Sequence, residues 1–394
     1  MELAYVTAGE SHGPGLTVVV SGLPAGLELD HGLIRADLAR RQAGYGRSPR
    51  QKLEQDDVEP RGGLRHGRTL GSPLAFFIQN RDHKNWTAPM SAWPVDEAEL
   101  EGYGWRGQPV TLPRPGHADL AGVLKYGHDD VRNVLERASA RETAGRVAAG
   151  AVAKALIATI GITVRSHVLQ IGTVRATPPA WLQERDFDRA EASEVRCLDP
   201  DAEVAMIEEI EQAKRERDTL GGVTEVRAFG VPPGLGSHVS AAARLDGRLA
   251  AAMLSIQSAK GVEIGDAIVS SARRGSRVHD EIFHSDDRGY HRKSDAAGGL
   301  EGGMTNGAEL VIRTIWKPLP TLMRPLKSVE LGSHAPRDAH VERSDVTVLP
   351  AAAVVAEAGV AWELARAAAE KFGGDAVGDF VAAHAAYLER ISRA

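Results

Sequence analysis

The chain of 394 residues predicts an α+β fold organised around alanine-rich helices, on three observations. Short apolar, β-branched runs such as LTVVV at 16–20 and AELVIRTIW at 308–316 read as buried strands. Long alanine-rich patterns at about 142–160, 351–371 and 375–392 read as helices. No Walker loop is present and no GxGxxG follows a strand, so a nucleotide-triphosphate or Rossmann fold has little support.

In order along the chain, residues 3–20 read as strand, polar turn, strand. The turn GESHGPG (9–15) has three glycines and a proline around His12, which leaves backbone amides exposed. Alone, His12 reads equally as a structural and as a functional histidine. Asp30 is placed as the N-cap of a helix through Leu33, Ile34 and Leu38. That helix runs out into RRQAGYGRSPRQ, where Arg40, Arg41, Arg47 and Arg50 cluster without a compensating acid. Such a window favours an anion clamp over solvent-facing decoration. A strand-and-turn pattern follows, and the polar cluster RDHKNW (81–86) is expected to return to the surface.

The stretch 114–150 is the centre of the reading. It begins as a Pro/Gly-broken loop with His117 and Asp119 and passes through a second polar loop at 127–130. It ends in an alanine-rich helix, and carries His128, Arg132, Arg137, Ser139, Arg141 and Arg146 on the way. Imidazoles and guanidiniums leading into a helix N-terminus suit anionic ligands, because free N–H groups and the helix dipole favour negative charge there. In the helix, Ala144, Ala148, Ala151 and Ala155 lie on nearly one stripe, so another helix or a sheet can come close; Gly161 is a plausible stop.

Beyond it, ATPPAW (176–181) marks a sheet edge or a subdomain boundary near 175–190 within a single domain spanning 1–394. Residues 201–222 read as an amphipathic helix with a solvated charged face. Strand 225–236, helix 246–256 and a small-residue loop at 257–267 come next. GGLEGGMTNG cannot be a regular helix, since each glycine there costs about 1 kcal/mol relative to alanine. It suits close backbone approach to a ligand, or a mobile loop.

Composition narrows the chemistry. Of 47 basic residues, 37 are arginine, whose planar fork grips phosphate and carboxylate two-handed. Cys197 is the sole cysteine, which excludes an internal disulfide and a cysteine-based metal site. HADL and HDD are too local to propose any other metal site. Net charge −6 and few aromatics disfavour nucleic acid. Neither a signal-like N-terminus nor an apolar run of membrane length is visible, so a soluble, cytoplasmic protein is expected. Histidines in glycine-rich turns, arginine clusters and small-residue loops together describe a pocket for a multiply anionic ligand, with room for a flat cofactor ring and groups that move protons near neutral pH.

The strings GESHGPG, RRQAGYGR, GHDDVRNVLERASARETAGRVAAGA, AKGVEIG, AGGLEGGMTNG, KPLPTL and ERSD, in this order, closely resemble the chorismate synthase family, from the N-terminus to about residue 360. The resemblance implies a β–α–β layered sandwich with alanine-rich helices inside, usually a homotetramer. It implies a lyase that converts 5-enolpyruvylshikimate 3-phosphate to chorismate and phosphate by a net anti-1,4-elimination. The reaction needs reduced FMN without net redox change. By the same carry-over, His12 and His117 are the proton-handling histidines, with His12 the partner of the departing phosphate, and Asp345 is the acid that helps the flavin take the C6 proton. Arg41, Arg47 and Arg50 would grip the substrate's acidic groups, and Arg41 and Arg47 lie where NADPH is also described. FMN would touch Arg137, Ala138, Ser139, Gln257, Ser258, Gly302, Lys317, Pro318, Leu319, Pro320, Thr321 and Arg343. The chain departs from the commoner pattern at Ser48–Gln51, at Gln257-Ser258 and at Ser294-Asp295. Two rivals stay open at this point: a flavin-dependent oxidoreductase acting on a small anion, and a non-enzymatic anion-binding protein.

Overall fold

The computed structural model describes residues 2–47, 55–179, 181–341 and 344–393. Two antiparallel sheets lie on either side of a layer of helices. The first sheet contains β1 (Ala4–Ala8), β2 (Gly15–Ser21), β3 (Glu59–Gly62) and β4 (Leu74–Gln79), in the order β1-β2-β4-β3. The second contains β5 (Thr163–Ile171), β6 (Val174–Arg175), β7 (Gly222–Phe229), β8 (Ala259–Ile264) and β9 (Leu310–Trp316), in the order β8-β9-β7-β5-β6. The short β6 therefore sits at a sheet edge, just before the Ala176–Pro179 connection.

The principal helices are α1 (His31–Gln42), α2 (Asp119–Tyr126), α3 (Arg132–Ala138), α4 (Thr143–Ala158), α5 (Pro200–Glu216), α6 (Leu245–Leu254), α7 (Leu349–Phe372) and α8 (Val377–Ile391). Asp30 caps α1 by accepting the N–H of Gly32 at 2.7 Å. Gly161 has φ +79°, the left-handed turn that ends the α4 segment. On α5, Ala202, Met206, Ile210 and Ala213 face inward while the charges face out.

The layers follow from the side chains. Helix α4 packs on β2 of the first sheet and α7 packs on β5 and β7 of the second, while α4 and α7 pack on each other. Alanine and glycine make this closeness possible: a Cβ added at Gly150 would stand 2.3 Å from the Ala358 Cβ of α7. Gly150→Val therefore has to push two buried helices apart. It should cost about 1–3 kcal/mol or more, read as a fall in the urea midpoint with little change in the slope.

The stretch 114–150, expected as loops feeding one helix, folds into more helix than that. Its first polar segment becomes α2 and the segment after the 127–130 turn becomes α3, pinned by a small satellite core of Val110, Val123, Val131 and Leu135. No helix among the described residues is long and apolar enough to cross a membrane.

Candidate active site

Where α1 ends and α4 begins, the two helices deliver their arginines to one place. Arg41 is 5% exposed; its Nε donates to Thr143 Oγ1 at 2.8 Å and its Nη2 to the carbonyl of Ala140 at 3.0 Å. Arg141, on the turn before α4, donates to Asn80 Oδ1 at 2.8 Å and to Asp56 Oδ1 at 2.6 Å. The other oxygen of Asp56 lies 3.3 Å from Arg41, so one buried carboxylate bridges two guanidiniums. Arg47 Nε lies 3.0 Å from Asp345 Oδ2 as an ion pair whose angle is poor for a hydrogen bond.

Three guanidiniums thus meet two carboxylates. Burial pushes Arg41 down to about 10, with Asp56 opposing the shift and Arg141 and Arg47 adding to it. Burial also lowers Arg47, against the pull of Asp345. At about 10, Arg41 stays cationic at neutral pH, and the crowding of the three guanidiniums is what an incoming anion relieves.

These residues line a cavity of about 160 Å³. Its polar side has Ser11, Arg41, Arg47, Ser139, Arg141, Gln257, Ser258 and Asp345; its apolar side has Ile256, Trp316, Leu319, Ala351, Ala352 and Val355. Ser139 Oγ is 3.2 Å from Ser11 Oγ. Gln257 donates to Glu142 Oε2 at 3.2 Å, while its own Oε1 is buried with no partner among the described residues. Ser258 adopts φ +72° and accepts the N–H of Lys317 at 3.0 Å.

Neither His12 nor His117 lines this cavity; His12 directly follows the lining residue Ser11. His12 is 8% exposed and stacks on Trp86 at 4.1 Å between ring centroids. Its Nδ1 is 2.7 Å from Glu136 Oε1. His117 meets Asp119 through Nδ1 and lies against Arg114, whose Nη1 donates to Thr321 Oγ1 at 3.1 Å. Thr321, Arg47 and Asp345 line an adjoining cavity, so the 317–321 segment joins the His117 cluster to the arginine cavity. Lys317 Nζ donates to the carbonyl of Gly116, the residue before His117, and Pro320 packs beside Gly116.

The remaining sequence candidates are scattered. Arg137 is turned toward β1, donating to the carbonyls of Thr7 at 2.7 Å and Gly9 at 3.1 Å; Ala138 precedes the cavity-lining Ser139 and does not itself line the cavity. Pro318 packs behind Gly221. Gly302 occupies the turn of the Leu300–Thr305 hairpin next to α6, away from the cavity. Arg50 and Arg343 lie outside the described residues.

Trp86 corrects one expectation. RDHKNW was expected on the surface, yet Trp86 is 4% exposed, because it packs under His12 and takes Arg132 and Arg106 against its ring. A tryptophan inside a polar cluster was the available signal. Asp119, two residues after His117, could also have been read as its partner. Nothing in the sequence pointed to Asp56 or Glu136, which reach Arg41 and His12 from distant segments.

Asp295, one of the departures, sits in a different cavity on the outer face of the second sheet. Burial, with Asp280 and Glu309 nearby, raises it to about 7, although the Gly299 N–H opposes the shift. An acid raised on folding binds more protons folded than unfolded, so stability falls as pH climbs from about 4 to about 7. Asp295→Asn keeps the oxygen that Gly299 needs and removes the charge. The variant should melt higher than the parent at pH 8, with the difference closing toward pH 4.

The decisive comparison is with whole chains. The chorismate synthase family model matches residues 3–369. The chain belongs to the chorismate synthase family. It is 58% identical to the chorismate synthase of Symbiobacterium thermophilum, over 99% of this chain and 100% of that one. To that of Desulforudis audaxviator it is 54% identical, over 99% of this chain and 98% of the other. A solved structure described as a crystal structure of chorismate synthase superposes with a TM-score of 0.80 at 38% identity, covering 100% of this chain and 99% of that one. The β–α–β layering expected from the resemblance is the chorismate synthase fold.

Proposed function

We propose that the arginine cavity binds 5-enolpyruvylshikimate 3-phosphate beside reduced FMN, and that the chain releases phosphate from this substrate to form chorismate, a lyase step of the shikimate pathway. The observation that carries the reading is the meeting of Arg41, Arg47 and Arg141 against an apolar wall, with Asp56 and Asp345 as the carboxylates paired to them among the described residues. A net positive pocket walled by guanidinium forks suits an acidic ligand, and one with a phosphate and two carboxylates offers groups for them to grip.

The residues present also fit a flat heterocycle with a polar edge. Ala351, Ala352 and Val355 supply a small-residue surface, and Gln257 Oε1 is a buried acceptor that a ligand N–H would satisfy. Ser139, Gln257, Ser258 and Leu319 would hold the flavin, with Lys317 and Thr321 setting the segment that carries Leu319. When bound, reduced FMN supplies transient electron density to the breaking C–O bond.

The chain's own residues do the rest. Arg41 and Arg47 orient the acidic groups and hold charge as phosphate departs. His12 donates a proton to the departing phosphate, and His117 holds a proton toward the flavin. Asp345, kept next to Arg47, assists removal of the C6 proton. The same reading takes the chain as a cytoplasmic homotetramer, with NADPH as a possible outside electron source at Arg41 and Arg47.

The test is anaerobic phosphate release with a limiting amount of reduced FMN. Many phosphates per flavin are expected. One reductant consumed per turnover would transfer the chain to the oxidoreductase reading.

A further inference from the structure

The two histidines are mounted in the same way by unrelated parts of the chain. His12 Nδ1 meets Glu136 Oε1 at 2.7 Å, and Glu136 Oε2 accepts the backbone N–H of His12 at 2.8 Å. His117 Nδ1 meets Asp119 Oδ1 in a very short contact. Glu136 is 3% exposed and Asp119 0%. Glu136 belongs to α3, far along the chain from His12, whereas Asp119 opens α2 just after His117.

Each contact restricts which ring nitrogen carries hydrogen. Burial alone would raise Asp119, but hydrogen bonds from His117 and Arg114 hold it well below the usual carboxylate range. Its Oδ2 accepts the backbone N–H and the Nε–H of Arg114, both of which can only donate, and Oδ1 is left to accept from His117 Nδ1. Arg114 Nη2 is 3.2 Å from Nδ1 and 3.4 Å from Nε2, nearly equidistant, as a guanidinium leaning on the ring. Glu136 uses one oxygen for a backbone N–H, which can only donate, and offers the other to the ring. Trp86 stacked on His12 removes the remaining freedom of that ring.

Resting on the reading of His12 and His117 as the proton-handling groups, we propose that Glu136 and Asp119 are positioning residues: each holds the Nδ1–H of its histidine, so that Nε2 is the atom that carries the transferable proton and, once it is given up, takes it back. Neither carboxylate touches the reacting atoms. Their effect passes through the orientation and tautomer of the imidazole, as second partners of a working histidine generally act.

The experiment uses the full-length protein with histidine-selective 15N labelling and FMN, alongside anaerobic kinetics with reduced FMN and 5-enolpyruvylshikimate 3-phosphate. Ring signals are assigned by their loss in His12→Ala and His117→Ala. Glutamine at 136 has one oxygen for two donors, so Glu136→Gln should shift the His12 ring signals, and Asp119→Asn those of His117. In each variant kcat should fall roughly 10- to 100-fold, with KM moved less than about 3-fold. Glu136→Asp, which keeps two acceptor oxygens, should recover part of the rate. Should Glu136→Gln not fold, Asp119→Asn and Glu136→Asp carry the same test. Unmoved ring signals, or kcat and KM shifting together, overturn the proposal. Shifted ring signals alongside full turnover in His12→Ala and His117→Ala would instead bring down the underlying reading of the histidines, and the proposal with it.

Discussion

Replacing His117 by alanine should lower kcat by about 10²- to 10⁴-fold, the contribution of a positioned acid–base group, and leave the protein folded. The ring side chain is 15% exposed and reaches Asp119, which remains paired with Arg114 through Nε at 2.9 Å once the imidazole is gone. No charge is stranded, so the structural consequence is small. The chemical one is large, because His117 is the imidazole tied through Arg114 and Lys317 to the 317–321 segment that leads to the cavity. An anion-binding protein with a structural histidine would show the reverse: unchanged turnover and a lower melting temperature. Anaerobic phosphate release together with a thermal melt separates the two.

Arg47→Ala should raise KM for the substrate by about 10- to 100-fold, as expected from losing a charge-assisted contact of about 1.5–3 kcal/mol. Flavin affinity should move less than about 3-fold. The reason is location. Arg47 faces Asp345 at the junction of two cavities, while the residues proposed for the flavin lie on the Ser139, Gln257 and Ser258 side. Burial already strains the Arg47 cation, and an anion in the cavity restores what water would have provided. Equal loss of substrate and flavin binding would place Arg47 wrongly. Titration of flavin fluorescence and steady-state kinetics on the same preparation give both numbers.

Elements whose period and caps agree were readable in the chain. The α4 and α7 helices announce themselves by alanine, their stops by Gly161 and by the glycines after Phe372, and β2 by its run of valines. The close approach of α4 and α7 was foreshadowed by small residues, but which helix would face α4 was not, since Gly150 and Ala358 are far apart in sequence. Helices α2 and α3 were missed because glycine and polar residues mask short helices that tertiary packing on Val123, Val131 and Leu135 stabilises.

The site divides in the same way. Arginine clusters and histidines in glycine-rich turns are local signals, and Arg41, Arg47, Ser139, Gln257, Ser258 and Asp345 do converge on one cavity. Apart from Asp119 beside His117, their partners are not local. Asp56, in the segment before β3, joins Arg41 at the end of α1 to Arg141 just before α4, and Glu136 reaches His12 across the chain. Sequence spacing carries no trace of such pairs, and Trp86 was masked by the polar residues around it.

The most direct measurement is a crystal structure of the protein with FMN and 5-enolpyruvylshikimate 3-phosphate bound together. The account predicts both molecules in the cavity walled by Arg41, Arg47, Ala351 and Ala352, the acidic groups of the substrate on the guanidiniums and the flavin within contact of Gln257 and Ser258. Two molecules lodged in separate cavities, or a substrate phosphate with no arginine beside it, would contradict it.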